Sequence, residues 1–171
     1  SSVQFERLLS AAGPTEGVVK RLSDGKPVKR LAFIQCVGSR DSARGRGYCS
    51  SICCMSATKE AVVAMEHEAG LKATIFCMDV RAFGKEFDRY ADRASDEYGV
   101  RYVRAIPSRI VQMPGTNNLR VRYFDAQGRD GQLPISDCRL PNSEANEKGA
   151  DTLGSSQSAI GNRQSEMVEE E

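Results

Sequence analysis

The sequence lacks tryptophan, has one histidine and carries almost no net charge. Its 24 basic and 23 acidic residues leave a formal charge of +1, which does not indicate a nucleic-acid partner. Hydrophobic residues make up 40% of the chain and argue against disorder throughout. No run approaches the roughly 20 apolar residues of a membrane span, and the first residues, SSVQFERLLS, lack the charged-then-apolar order of a secretory signal. We therefore expect a cytoplasmic protein without direct membrane insertion.

Cysteine is the informative residue type in this chain. A length of 171 residues allows a hydrophobic core without disulfides, so six cysteines favour metal ligation or redox chemistry. Four of them, Cys36, Cys49, Cys53 and Cys54, lie within residues 36–54. Iron-sulfur clusters usually take four thiolates, so shared coordination of a cluster explains this grouping better than packing does.

Hydrophobic periodicity predicts strands and helices in alternation, followed by strands alone. A leading helix and linker (1–30) precede a domain at 31–136 and a polar, disordered tail at 137–171. Within the domain we expect strands at 31–37, 73–78 and 100–104, with helices at about 51–69 and 84–98 between them. The first strand is apolar enough to be buried on both faces. Strands at 109–112 and 119–125 form an antiparallel hairpin, and a last short strand covers 132–135.

This element order predicts an α/β fold: a Rossmann-like parallel sheet with flanking helices and an antiparallel β-hairpin addition. A dinucleotide-binding domain has G-x-G-x-x-G after its first strand, so that its backbone can approach a pyrophosphate. Here the corresponding run is CVGSRD at residues 36–41. Only Gly38 matches a fingerprint glycine, and Asp41 would repel phosphate. Pyridine-nucleotide binding is therefore disfavoured.

The turn after the first strand offers thiolates beside a helix N-terminus instead. Cys53 and Cys54 fall in the first turn of that helix, and Ser50 or Ser51 is the expected N-cap. The helix dipole and its free N–H groups would stabilise an anionic cluster there. We therefore expect Gly38, Ser50 and Ser51 to contact the cofactor that the cysteines bind.

Other interpretations of the cysteines stay open. Structural zinc generally uses paired knuckles, whereas these cysteines have one suitable spacing and an adjacent pair. The sequence lacks the C-x-x-C motif that is typical of metal-free thiol redox chemistry. Inert buried cysteines would not cluster in a polar loop. The remaining candidates have simpler assignments. Cys77 is predicted in the core, His67 on a solvated face and Asp79 at the position of a ribose-binding acid, while Cys138 borders the tail.

Several runs carry a resemblance to a known family. They are FERLLS (5–10), SDGK (23–26), FIQCVGSRD (33–41), YCS (48–50), CCM (53–55), and MDVR (78–81) followed by Gly84-Lys85. Over residues 5–125 the chain resembles the A subunit of heterodisulfide reductase, and it also resembles the A subunit of the quinone-interacting membrane-bound oxidoreductase. In this family the segment is equivalent to the pyridine-nucleotide domain of a thioredoxin-reductase-like flavoprotein.

The resemblance implies that Cys36, Cys49, Cys53 and Cys54 ligate a 4Fe-4S cluster that exchanges electrons with FAD. It also implies partners: the remainder of the flavoprotein and other electron-transfer subunits. The glycine-rich fingerprint of an FAD domain is absent from this sequence, and the run from Asp137 onward is polar. We therefore expect an excised domain or a truncated homologue that does not bind FAD alone, and whether it is a complete enzyme stays open.

Overall fold

The parallel sheet forms the centre of the fold. The computed structural model describes residues 1–125, 128 and 130–135. Three strands, β1 (Arg30–Ile34), β2 (Lys72–Cys77) and β3 (Arg101–Arg104), lie in the order β1-β2-β3 with parallel pairing. β2 is central and almost wholly buried, whereas β1 is half-buried because β2 alone pairs with it among the described residues. The expectation that β1 is buried on both faces was therefore wrong.

Among the described residues, three α-helices accompany the sheet: α1 (Ser2–Leu9), α2 (Cys53–His67) and α3 (Phe87–Asp96). Ala57, Ala61 and Val62 of α2 pack with Ala94 of α3 onto Ile75 of β2. Leu9 at the end of α1 joins a second cluster with the C-terminal half of α2. α3 is shorter than the predicted helix at 84–98, because Gly84 and Glu86 take left-handed backbone angles just before it.

An antiparallel sheet covers the other face of the parallel sheet. It contains β4 (Pro107–Gln112), β5 (Leu119–Phe124) and β6 (Asp130–Ile135), with β5 in the middle. Phe76 of β2 is fully buried against Val121 and Tyr123 of β5 and Leu133 of β6. The predicted hairpin is confirmed, and the predicted last strand extends it to three strands.

These features confirm the predicted α/β fold class with its antiparallel addition. In the described part of the chain, no helix has the length and apolarity needed to cross a membrane. The proposed domain boundaries stay predictions. Cys138 and the predicted tail at 137–171 lie outside the described residues.

Candidate functional site

All four clustered cysteines lie around the carboxyl end of β1 and the start of α2. Cys36 follows β1, Cys49 lies in the loop that leads to α2, and Cys53 and Cys54 are its first two residues. Cys36, Cys49 and Cys53 are half-buried free thiols, and Cys54 is a buried one. The fold thus brings the whole predicted ligand set to one loop region at the edge of the sheet where ligands of α/β proteins usually bind.

The backbone of this loop region is unusual. Cys36, Arg40 and Ser51 have positive φ angles of 61°, 57° and 65°, which residues other than glycine rarely adopt. Such angles at a non-glycine residue carry strain that the surrounding structure has to hold in place. Gly38, the predicted cofactor contact, also has a left-handed φ of 73° and makes the turn that follows Cys36.

The predicted capping of α2 by Ser50 or Ser51 was wrong. Ile52 occupies the N-cap position and provides no side-chain cap. Ser51 has a left-handed backbone conformation, and its N–H donates to Cys49 Sγ at an N–Sγ distance of 3.4 Å. In this loop a backbone N–H therefore donates to a cysteine sulfur, and no side chain caps the start of α2.

An ion pair connects the loop after β1 to the loop after β2. The guanidinium of Arg40 binds the carboxylate of Asp79, and Arg81 Nε lies 3.4 Å from the second oxygen of that carboxylate. Asp79 raises the pKa of Arg40, and the nearby Cys36 thiol adds a smaller contribution to that rise. Asp79 is therefore committed to two arginines in this structure, rather than free to bind a ribose as its position after β2 suggested.

Burial dominates the electrostatics of the deeper thiols. It raises the pKa of Cys54, and the neighbouring Cys53 and Cys36 thiols raise that pKa further. The Cys54 thiol donates weakly to the Asp79 carbonyl, at 3.8 Å. Cys77 is fully buried, and burial raises its pKa to about 11. Cys77 is the last residue of β2, and its predicted core position is confirmed.

The donor chemistry fits an iron-sulfur cluster, since four thiols without disulfides come from one loop and one helix turn. Within the described residues, however, no three or more Cys, His, Asp or Glu side chains stand close enough together to hold a metal ion. The four-ligand assignment therefore stays a prediction. His67 is exposed, with Nδ1 2.9 Å from the Gly17 carbonyl, and lies at the far end of α2.

Sequence reasoning missed two features of this region. One is the Arg40–Asp79 ion pair, whose partners are separated by 38 intervening residues and carry no local signal. The other is Glu60, a buried carboxyl on α2 that is 2% exposed. The sequence does carry a signal for this residue. Glu60 is followed by the apolar run AVVA and lies seven residues after Cys53, on the same face of the helix.

Comparison with known proteins tests the resemblance to heterodisulfide reductase A subunits. No protein-family model matches it. The chain is 50% identical over 125 residues to the second A-type iron-sulfur subunit of CoB–CoM heterodisulfide reductase from Methanopyrus kandleri, a match that spans 73% of this chain. It is 41% identical over 170 residues to the first A-type subunit of the same organism, across 94% of this chain. The resemblance to heterodisulfide reductase A subunits is thereby confirmed over most of this chain.

Members of this family are much longer than the present chain. The matches cover 19% and 25% of the two Methanopyrus subunits. They cover 13% of the A subunit of the ferredoxin/F420H2-dependent CoB–CoM heterodisulfide reductase from Methanosarcina acetivorans, which is 44% identical over 104 residues. The chain thus corresponds to a fraction of a heterodisulfide reductase A subunit, and the activity of the whole subunit does not transfer to it.

Proposed function

We propose that this chain is an electron-transfer domain whose Cys36, Cys49, Cys53 and Cys54 bind a 4Fe-4S cluster. The observation that carries the proposal is the gathering of these four free thiols at one sheet edge, in a chain similar to proteins named iron-sulfur subunits. When bound, the cluster would supply one-electron transfer. No general base or nucleophile is required of the protein.

The protein's own contribution is to position the thiols and set their electrostatic environment. The N–H of Ser51 points at the Cys49 sulfur, and the uncapped start of α2 places further N–H groups beside Cys53 and Cys54. N–H donors to sulfur stabilise negative charge and raise a reduction potential. The Arg40 guanidinium adds a positive charge near Cys36. These groups favour the more negatively charged, reduced state.

The surface around the cysteine loops supports docking to another part of a larger protein. Large apolar side chains are exposed in the loops that follow β1 and β2 and precede α2, namely Val37 at 78%, Ile52 at 73% and Phe83 at 58%. Exposed apolar groups concentrated in one region often mark interaction sites. We assign this surface, defined by Val37, Ile52 and Phe83, to contact with the flavin-bearing remainder of the protein, with further electron-transfer subunits beyond it. The free thiols suit a reducing, cytoplasmic compartment.

Anaerobic reconstitution with iron and sulfide tests the proposal. The chain should take up roughly four iron atoms and develop broad visible absorbance. Cys53→Ala should abolish the colour, whereas Cys77→Ala, a matched change at a cysteine outside the ligand set, should keep it. Tight stoichiometric zinc binding without iron uptake would instead support a structural module. Stabilisation of the folded chain by NADH would instead support the nucleotide-binding interpretation.

A further inference from the structure

One buried titratable group is unused by the proposed function. Glu60 lies on α2, and its side chain is almost completely removed from solvent at 2% exposure. Oε1 accepts a hydrogen bond from the hydroxyl of Ser2 on α1. Oε2 is buried without a hydrogen-bond partner. A buried carboxylate oxygen without a donor is costly, so its presence calls for a reason.

The charges around Glu60 leave its carboxyl without a close cation. The neighbouring Lys59 directs its ammonium group to Glu6 of α1, with an Nζ–Oε1 distance of 2.6 Å. Burial raises the pKa of Glu60, while the Ser2 hydrogen bond opposes that rise. Glu6 raises this pKa further, and Lys59 and the amino group of Ser1 lower it, with a net result above the ordinary value. The environment thus makes protonation of this carboxyl easier than that of an exposed glutamate.

Glu60 and Cys53 line the same cavity. It has a volume of about 360 Å³ and lies between α1, β1 and the start of α2, with Ser2, Phe5 and Gln35 also in its wall. Seven residues are nearly two helical turns, so Cys53 and Glu60 share a face of α2 about 10 Å apart along its axis. The cavity is large and polar enough to hold water between them.

We propose that Glu60 binds a proton when an electron enters the cysteine site and releases it when the electron leaves. The inference rests on the proposed function, which supplies the electron from a redox partner. The proton comes from solvent: one electron is gained at the site, the carboxylate becomes a carboxylic acid, and oxidation reverses both changes. One negative charge at about 10 Å, at an effective dielectric constant of about 20, raises the proton affinity of the carboxyl on the order of tenfold.

The test is the pH dependence of the reduction potential of the reconstituted chain, titrated anaerobically with dithionite. The wild-type potential should fall with rising pH between the carboxyl pKa of the oxidised state and that of the reduced state. It should be flat on either side. Glu60→Gln should abolish the slope. Glu66→Gln, which changes an exposed carboxylate on the same helix, should retain it.

A second variant keeps the test decisive if Glu60→Gln does not fold. Ser2→Ala removes the hydrogen bond that lowers the Glu60 pKa, so the sloping region should move to higher pH. Three results would overturn the coupling and leave the proposed function intact. They are a pH-independent potential in the iron-loaded wild type, a wild-type slope in Glu60→Gln, and a sloping region that does not move in Ser2→Ala. A chain that takes up no iron overturns the proposed function and the coupling together.

Discussion

Arg40 and Asp79 form an ion pair that joins the loop after β1 to the loop after β2. The same two loops carry predicted ligands. Cys36 lies near enough to Arg40 to raise the pKa of its guanidinium, and the Asp79 carbonyl accepts from Cys54 Sγ at 3.8 Å. One ion pair therefore holds together the two loops on which the cysteine arrangement depends.

Asp79→Asn should lower the free energy of unfolding by about 0.5 kcal/mol at neutral pH, the scale of a partly exposed ion pair. Burial alone would raise the pKa of Asp79, but the hydrogen bond and charge of Arg40, with Arg81, bring it below its ordinary value of 3.8. Because the folded-state pKa is lowered, the ionised carboxylate stabilises the folded protein at pH values above its ordinary pKa. This contribution declines as the pH falls through the lowered pKa. Urea unfolding at pH 7 and at about pH 2 checks this.

The matched control is Asp92→Asn, which changes an exposed carboxylate on α3. It should change the unfolding free energy by less than Asp79→Asn at pH 7. Equal losses for the two variants, or a loss for Asp79→Asn that persists at low pH, would contradict the role given to the ion pair.

Phe76→Leu should destabilise the domain by about 1–2 kcal/mol, because Phe76 connects the two sheets. Its side chain is fully buried, and its ring lies edge-on to that of Tyr123 with centroids 4.9 Å apart. Denaturant unfolding measures the loss. Phe83→Leu, at a 58% exposed phenylalanine, is the control and should have little effect. A similar cost at both positions would show that the antiparallel sheet does not pack on Phe76.

The order of elements could be predicted because it depends on local patterns. The apolar run ATIFCM predicted a strand at 73–78, and β2 is buried from Ala73 to Cys77. Turn formers such as Pro114-Gly115 separate the antiparallel strands in the sequence as they do in the structure. Such signals need no knowledge of distant partners, so the fold class followed from them.

The finer geometry of the site could not be predicted because non-local contacts decide it. Ser51 is a good N-cap by type, yet it lies in a left-handed turn whose N–H donates to Cys49 Sγ, and Ile52 takes the N-cap position. β1 looked fully buried from its composition, but its exposure depends on which strands flank it. The partner of Arg40 lies on another loop altogether. Each difference arises from a neighbour that the sequence does not identify.

Cys77 should resist alkylation in the folded, cluster-free chain. It is 0% exposed and burial raises its pKa to about 11, so at pH 8 it is both inaccessible and protonated. Cys36, Cys49 and Cys53 are half-buried and should react faster with iodoacetamide. Mass spectrometry after timed labelling gives the order, and labelling in urea is the control in which all should react. Labelling of Cys77 as fast as Cys49 in the folded chain would contradict this placement.

Glu60→Leu should raise the free energy of unfolding by about 1 kcal/mol at pH 8, because it removes a buried oxygen without a partner. The gain should depend on pH. Burial raises the folded-state pKa of Glu60, so the wild-type carboxyl is best tolerated below its ordinary value of 4.5. It destabilises the protein as pH rises through the raised pKa. Denaturant unfolding at pH 8 and about pH 4 should therefore show a larger gain at the higher pH.

Glu66→Leu, at an exposed position of the same helix, controls for the change in helix propensity and should show no such gain. A loss of stability in Glu60→Leu at pH 8 would mean that the carboxylate is well accommodated and needs no functional explanation. The predicted gain would mean that the chain retains a group that weakens its fold, seven residues along α2 from Cys53. Natural proteins keep such groups chiefly where function requires them, so this measurement bears on proton coupling without requiring the cluster.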